Sequence, residues 1–255
     1  MTEIRLETQA LGRQFGALIA VQDMDFSLAA GARHALIGPN GAGKTTFINL
    51  LTGVLRPSRG RVLLGGRDIT GLQQAERVKL GVARTFQINR LFRGLSVLEN
   101  VCIAIAERRG IAGTMFYPAG RRTDVIDEAM QLLQTLKLAE AARQRVSELP
   151  YGRQRLVELA IAIALSPTVL LLDEPAAGVP SAESHIILDA IERLPADIAV
   201  LIIEHDMDVV FRFAKRVTVM VGGRLFAEGT PREIEANAQV REVYLGQSGH
   251  RAAHA

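Results

Sequence analysis

The chain has 255 residues, of which 48% are apolar and 22% charged, with 30 basic against 27 acidic side chains and a net charge of +3. This composition excludes a disordered chain and supplies a sizeable core, and so small a positive excess gives no argument for nucleic acid. One cysteine, Cys102, rules out an intrachain disulfide, and the opening nine residues carry no apolar signal segment, so a reducing, cytoplasmic setting is expected.

Residues 4–6, 21–28 and 33–37 read as strands, and 61–64 with 67–69 as a hairpin about Gly65-Gly66. Residues 45–52 have helical spacing, closed by Gly53 with Pro57 beyond. The pattern then changes. Residues 97–108 read as a helix, 110–122 as a Gly/Pro-containing connector, and Val125, Ala129, Leu132, Leu133 and Leu136 recur at helical intervals. A third helix is expected over 153–165, stopped by Ser166-Pro167. The most apolar stretch, 156–172, carries Glu158 and Pro167 and falls short of the about 20 apolar residues that cross a bilayer. The last third alternates again: strands at 169–172, 198–203 and 216–221, helices at 184–194 and 207–214. Unbroken apolar strands alternating with helices predict an α/β fold with a mostly parallel sheet covered on both faces, and 91–164 reads as a helical insertion. No internal repeat is found, and 246–255 has the composition of a mobile tail.

Between the strand at 33–37 and the following helix lies Gly38-Pro39-Asn40-Gly41-Ala42-Gly43-Lys44-Thr45, followed by Thr46. It fits G-x-x-x-x-G-K-[ST]. The glycines let main-chain N–H groups turn inward around phosphate oxygens, and the helix N-terminus behind them favours the same charge. Lys44 would reach the β- and γ-phosphates and Thr45 would ligate Mg²⁺. A chance match in a chain of this length is on the order of one in a hundred, and this one sits between a strand and a helix, as the chemistry requires.

A phosphate loop by itself fits kinases, GTPases and ATPases alike. The apolar strand at 169–172 delivers Asp173 and Glu174 at its carboxyl end, where ligands sit in such sheets. Asp173 would hold Mg²⁺ through water, and Glu174 would polarise an attacking water as general base. His205 ends the next apolar strand and could contact the γ-phosphate, although a lone histidine is more often structural. Gln87, after another short apolar strand, could ligate Mg²⁺ or orient water; otherwise it is a surface glutamine.

These elements, in this order, resemble the ATP-binding cassette (ABC) ATPases over residues 4–245. The resemblance makes 38–45 the Walker A loop, Gln87 the Q-loop residue, 171–174 the end of Walker B and His205 the switch histidine, and it places Phe15 where an aromatic stacks on adenine. The family's signature loop corresponds to Leu149-Pro150-Tyr151-Gly152-Arg153, in which Tyr151 and Gly152 would meet ATP held by a second ATPase subunit. Pro150 replaces the usual serine, Arg153 the usual glutamine, and Pro180 stands near a usual aspartate. This implies an asymmetric pair, in which this chain hydrolyses ATP with a signature donated by a different partner. The segments Arg84-Thr85-Phe86-Gln87, Tyr151-Gly152, Ala176-Ala177-Gly178 and Glu204-His205-Asp206-Met207 resemble, more finely, importers of branched-chain amino acids. Urea and amide importers share these features, and lipopolysaccharide-export ATPases lack the Arg-Thr-Phe-Gln form.

The resemblance implies a P-loop NTPase with a RecA-like sheet, an antiparallel β subdomain and a helical insertion. Residues 1–90 would form the N-terminal part of the ATP-binding core, 91–164 the helical subdomain, 165–245 the rest of the core and 246–255 the tail. It implies ATP and Mg²⁺ as cofactors, membrane permease subunits and a second ABC ATPase as partners, an extracytoplasmic solute-binding protein acting indirectly, and a peripheral place on the cytoplasmic membrane face. The permease would meet residues 90–100. Rival readings are a soluble mechanical ATPase of repair or translation, a P-loop kinase or GTPase, and a catalytically dead regulatory module.

Overall fold

The computed structural model describes residues 3–85, 91–111, 123–179 and 181–245. They fall into two units, Met1–Arg77 with Ala196–Ala255, and Val78–Pro195.

In the first unit, β1 (Ile4–Phe15) and β2 (Leu18–Ala29) form a long antiparallel hairpin, turned at Gly16 with φ 55°. β4 (Arg59–Leu64) joins β1, and β5 (Arg67–Asp68) follows through Gly65-Gly66, whose φ values of 54° and 79° suit a tight hairpin turn. The expected first strand ended at Leu6, but the strand runs to Phe15. Register shifts between Thr8 and Leu11 and again beyond Leu11 break the two-residue alternation, so the apolar pattern fades while pairing continues. Ala10, at φ 45°, is held in the irregular stretch by its N–H donating to Asp25 Oδ1 at 2.6 Å.

The other strands of this unit run β10-β9-β3-β8. β3 (Arg33–Ile37) is parallel to both β8 (Ala199–Ile203) and β9 (Arg216–Val221), while β10 (Arg224–Gly229) returns antiparallel on β9. β8 is buried throughout, which explains its unbroken apolar run. α1 (Lys44–Leu51) follows β3 and α7 (Met207–Phe213) follows β8. α8 (Pro231–Ala236) and α9 (Ala238–Leu245) lie beyond the expected elements. A signal for α8 was present: Thr230-Pro231-Arg232-Glu233 forms a capping box with proline at the first turn.

α2 (Gln74–Lys79) carries Arg77, 1% exposed. Its guanidinium donates to the carbonyls of Leu50 (2.7 Å), Leu51 (2.8 Å), Thr70 (2.9 Å) and Leu72 (3.1 Å). Two of these are last-turn carbonyls of α1, which the helix itself cannot satisfy. Burial lowers the Arg77 pKa to about 10.

In the second unit, β6 (Val82–Arg84) pairs in parallel with β7 (Val169–Asp173). The helices are α3 (Val97–Arg108), α4 (Thr123–Thr135), α5 (Tyr151–Ala164) and α6 (Ser181–Glu192). α3 has the expected bounds, opened by a capping box of Ser96 and Glu99. α5 begins two residues before the expected start, with Pro150 as N-cap and no side-chain cap. Asn100, 2% exposed, donates to the carbonyls of Phe92 and Ser96 and accepts from Phe92 N–H, so it clamps the turn before α3. Phe92 itself is 57% exposed on that turn.

Candidate active site

The phosphate-type loop leaves β3 where the sheet ends. Leu36 pairs with Ile203 of β8, Ile37 with Val219 of β9, and the chain then turns at Gly38. Three of its glycines have positive φ: 156° at Gly38, 79° at Gly41 and 96° at Gly43. A Cβ on Gly38 would stand 2.1 Å from the Met220 carbonyl oxygen, and one on Gly43 would stand 2.3 Å from that of Ala20. The loop is therefore pressed between β9 and β2 in a way only glycine permits. Ala42 N–H donates to Pro39 O at 3.1 Å and Gly223 N–H to Ala42 O at 2.9 Å, closing the curl. Asn40, Gly41 and Thr45 are exposed, while Pro39, Gly43, Lys44 and Thr46 are half-buried. Lys44 folds back, its Nζ donating to Gly38 O at 2.5 Å and Pro39 O at 3.0 Å. Gly43 is the N-cap of α1 with no side-chain cap, so the first N–H groups of α1 face the same loop as the ammonium. This cradle fits a phosphate group.

α1 is anchored by aromatic contacts. Phe47 meets Phe26 edge-on at 5.6 Å, and Phe26 meets His34 at 5.0 Å. His34, on β3, is 2% exposed; its Nε2 lies 2.8 Å from Thr218 Oγ1, which donates to Glu228 Oε2. Burial lowers its pKa to about 4, Arg216 adding to the shift and Glu228 opposing it. The unfolded chain thus takes up this proton more readily than the folded one, so stability is full above about pH 6.5 and falls as pH drops from there towards 4. By pH 5 the loss is about 2 kcal/mol. Urea unfolding at pH 7 and pH 5 should show this loss in the wild type, and His34→Gln should remove most of the difference.

Two further expected residues lie in this unit. His205 follows β8, at the sheet edge from which Gly38 departs; its side chain is 68% exposed, with Nδ1 4.0 Å from Glu204 Oε2. Phe15 ends β1, 42% exposed, with the Arg13 guanidinium 4.5 Å from its ring centroid.

The acid pair lies in the second unit. β7 is buried along its length and ends in Asp173, 3% exposed. Arg84 Nη2, at the end of β6, donates to Asp173 Oδ2 at 2.6 Å. Glu174 takes φ 47°, the left-handed conformation that costs a non-glycine residue about 1 kcal/mol. It opens a turn in which Ala177 N–H donates to Glu174 O at 3.0 Å, a main-chain bond that holds the turn. Gly178, at φ 74°, follows. A Cβ there would meet Tyr151 Cε1 at 3.2 Å. The signature-like stretch and the turn after the acids are therefore in direct contact. Tyr151 is 41% exposed, with the Arg155 guanidinium 5.1 Å from its ring centroid, and Gly152 is buried. The start of α5 borders a cavity of about 500 Å³ whose lining includes Lys137, Pro150, Gly152, Arg153, His185 and Arg193. Gln87 lies outside the described residues.

Sequence reasoning named Arg84, Gly178 and the segment of Asn100 without giving any of the three a role of its own, and it missed the carbonyls of Ala20 and Met220 that shape the loop. Arg84 carried a weak signal, a charge closing a short apolar strand. Among the described residues no group of three or more His, Cys, Asp or Glu could hold a metal by itself.

The ABC transporter family model matches residues 21–177, and a model described as branched-chain amino acid ATP-binding cassette transporter matches 224–250. The high-affinity branched-chain amino acid transport ATP-binding protein LivG of Salmonella typhimurium is 38% identical over 97% of this chain and 100% of its own length. BraF of Pseudomonas aeruginosa, with the same description, is 36% identical over 95% of this chain and 98% of its own. A crystal structure of an ABC transporter ATP-binding cassette in its ADP conformation superposes with a TM-score of 0.84 at 31% identity, covering 96% of this chain and 100% of the other. With the glycine cradle, the strand-end acids and these relationships in place, the chain belongs to the ABC transporter family of ATPases, within its branched-chain amino acid cassette group.

Proposed function

We propose that this chain is the ATP-hydrolysing subunit of an importer for branched-chain amino acids, working on the cytoplasmic face of the membrane beneath separate permease subunits. The observation that carries the ATPase reading is the cradle itself, a loop in which Gly38 and Gly43 leave no room for a Cβ and whose lysine folds back onto its carbonyls. The solute class rests on the LivG and BraF relatives and on the match at 224–250. Among the described residues no helix is long and apolar enough to cross a membrane, which suits a subunit that leaves the crossing to partners.

In this reading Lys44 and the amides of 38–46 hold the phosphates, Phe15 supports adenine, and His205 contacts the terminal phosphate. Thr45, Asp173 and Gln87 hold magnesium, which when bound neutralises charge building on the phosphoryl oxygens. Glu174 polarises the attacking water. Tyr151 and Gly152, at the start of the helix that borders the cavity lined by Lys137, Arg153, Asp189 and Arg193, face the nucleotide of a second ATPase. The turn clamped by Asn100 presents Phe92 to the permease. Residues 91–164 move as the part that transmits closure, and 1–90 with 165–245 hold the nucleotide.

Deleting the gene should abolish high-affinity uptake of labelled leucine, isoleucine and valine while leaving urea uptake intact. Loss of urea uptake with leucine uptake retained would overturn the solute assignment. The N-cap at Pro150 lacks a hydroxyl to offer across the pair. In a reconstituted pair whose partner carries its own acid pair, Pro150→Ser should raise hydrolysis at the partner's site; unchanged partner turnover would remove the asymmetric assembly.

A further inference from the structure

Asp173 does not stand alone at its strand end. Arg84 and Asp173 close neighbouring parallel strands, and their side chains are 9% and 2% exposed. The 2.6 Å contact uses Oδ2 of the carboxylate. Other charges lie close by: Glu174 is next in sequence, and a small pocket lined by Thr85, Arg155, Glu158 and Asp173 adjoins the pair. Arg155 pairs with Glu158 at 2.8 Å, and the described ion pair on Asp173 is the one with the Arg84 guanidinium.

A buried carboxylate stripped of its partner is left uncompensated, and it is neutralised either by a proton or by a metal ion that reaches it. A guanidinium fixed beside the same carboxylate repels a divalent ion within a few ångströms, where the effective dielectric is far below that of water. Arg84 also orients the carboxylate, and outer-shell partners of this kind commonly strengthen metal binding. Repulsion between a unit charge and a double charge at such range outweighs the orienting effect. We propose that Arg84 is the resident counter-cation of Asp173: it prevents this acid from collecting divalent metal by itself, so that metal is accepted only together with nucleotide phosphates. This inference rests on Asp173 being the metal-side acid of the ATP site.

The test is a Mn²⁺ titration of the full chain by electron paramagnetic resonance, with and without ATP. Wild type should bind Mn²⁺ with ATP and much more weakly without it. Arg84→Met should bind Mn²⁺ without ATP at least about tenfold more tightly than wild type, and Arg84→Lys, which keeps the charge, should behave as wild type. Arg84→Gln replaces the methionine variant if that one does not fold. Equal nucleotide-free binding in wild type and the uncharged variant, or Arg84→Lys behaving like Arg84→Met, would overturn the proposal. So would tight Mn²⁺ binding by wild type alone. Failure of wild type to bind ATP with Mn²⁺ would instead bring down the nucleotide-site reading.

Discussion

Glu174→Gln is expected to lower ATP turnover by about 10²–10⁴-fold, the usual contribution of a positioned general base, with nucleotide affinity retained. The substitution keeps size and removes only the charge and basicity. The fold around Glu174 should tolerate it, because the turn there is closed through its main-chain oxygen, accepting from Ala177 N–H. The left-handed φ of 47° is a property of the main chain that glutamine can occupy at a similar cost. Steady-state phosphate release and equilibrium binding of a fluorescent ATP analogue separate the two effects. Turnover within a fewfold of wild type would remove Glu174 from the chemistry; loss of binding together with turnover would point to a folding defect.

Arg77→Met is expected to destabilise the protein by about 3–5 kcal/mol, with a melting temperature lower by roughly 10 °C. The direction needs an argument, since burying a guanidinium is itself unfavourable and has already pulled its pKa down to about 10. Replacing a buried ion pair by apolar groups can be neutral because both charges leave together. Here the acceptors are main-chain carbonyls of Leu50, Leu51, Thr70 and Leu72, which no side-chain substitution removes. Methionine would take the guanidinium donors from all four: the buried Leu50 oxygen would keep only Gly53 N–H at 3.4 Å, and the buried Leu51 oxygen and the part-buried Thr70 and Leu72 oxygens would lose theirs. Arg77→Lys, with a single donor centre in place of a planar fork, should fall between the two. Thermal and urea unfolding with all three proteins gives the order; a methionine variant as stable as wild type would show that those carbonyls find other donors.

Much of the fold was legible because it rests on short-range rules. The run 169–173, buried on both faces, could hardly be anything but an inner strand, and the stretch 97–108 read as a helix with the bounds α3 has. The phosphate loop showed itself through the close coupling between glycine placement and main-chain conformation. The strand beyond Leu6 was hidden because bulges near Ala10 interrupt alternation without interrupting pairing. β10 was missed because most of its residues are exposed or half-buried, so its sequence carries no inward face. The contacts around the acids were out of reach for another reason. Arg84 and Asp173 are 89 residues apart, and Tyr151 meets Gly178 only once α5 and the turn after β7 are packed. Composition and spacing record what a residue can do; they do not record which distant neighbour it will find.

The fit of the Tyr151 phenol against Gly178 carries one more consequence. A Cβ at position 178 would stand 3.2 Å from Tyr151 Cε1, so the turn beginning at Glu174 lies this close to the first turn of α5 because residue 178 is glycine. Enlarging residue 178 is therefore expected to disturb both segments at once.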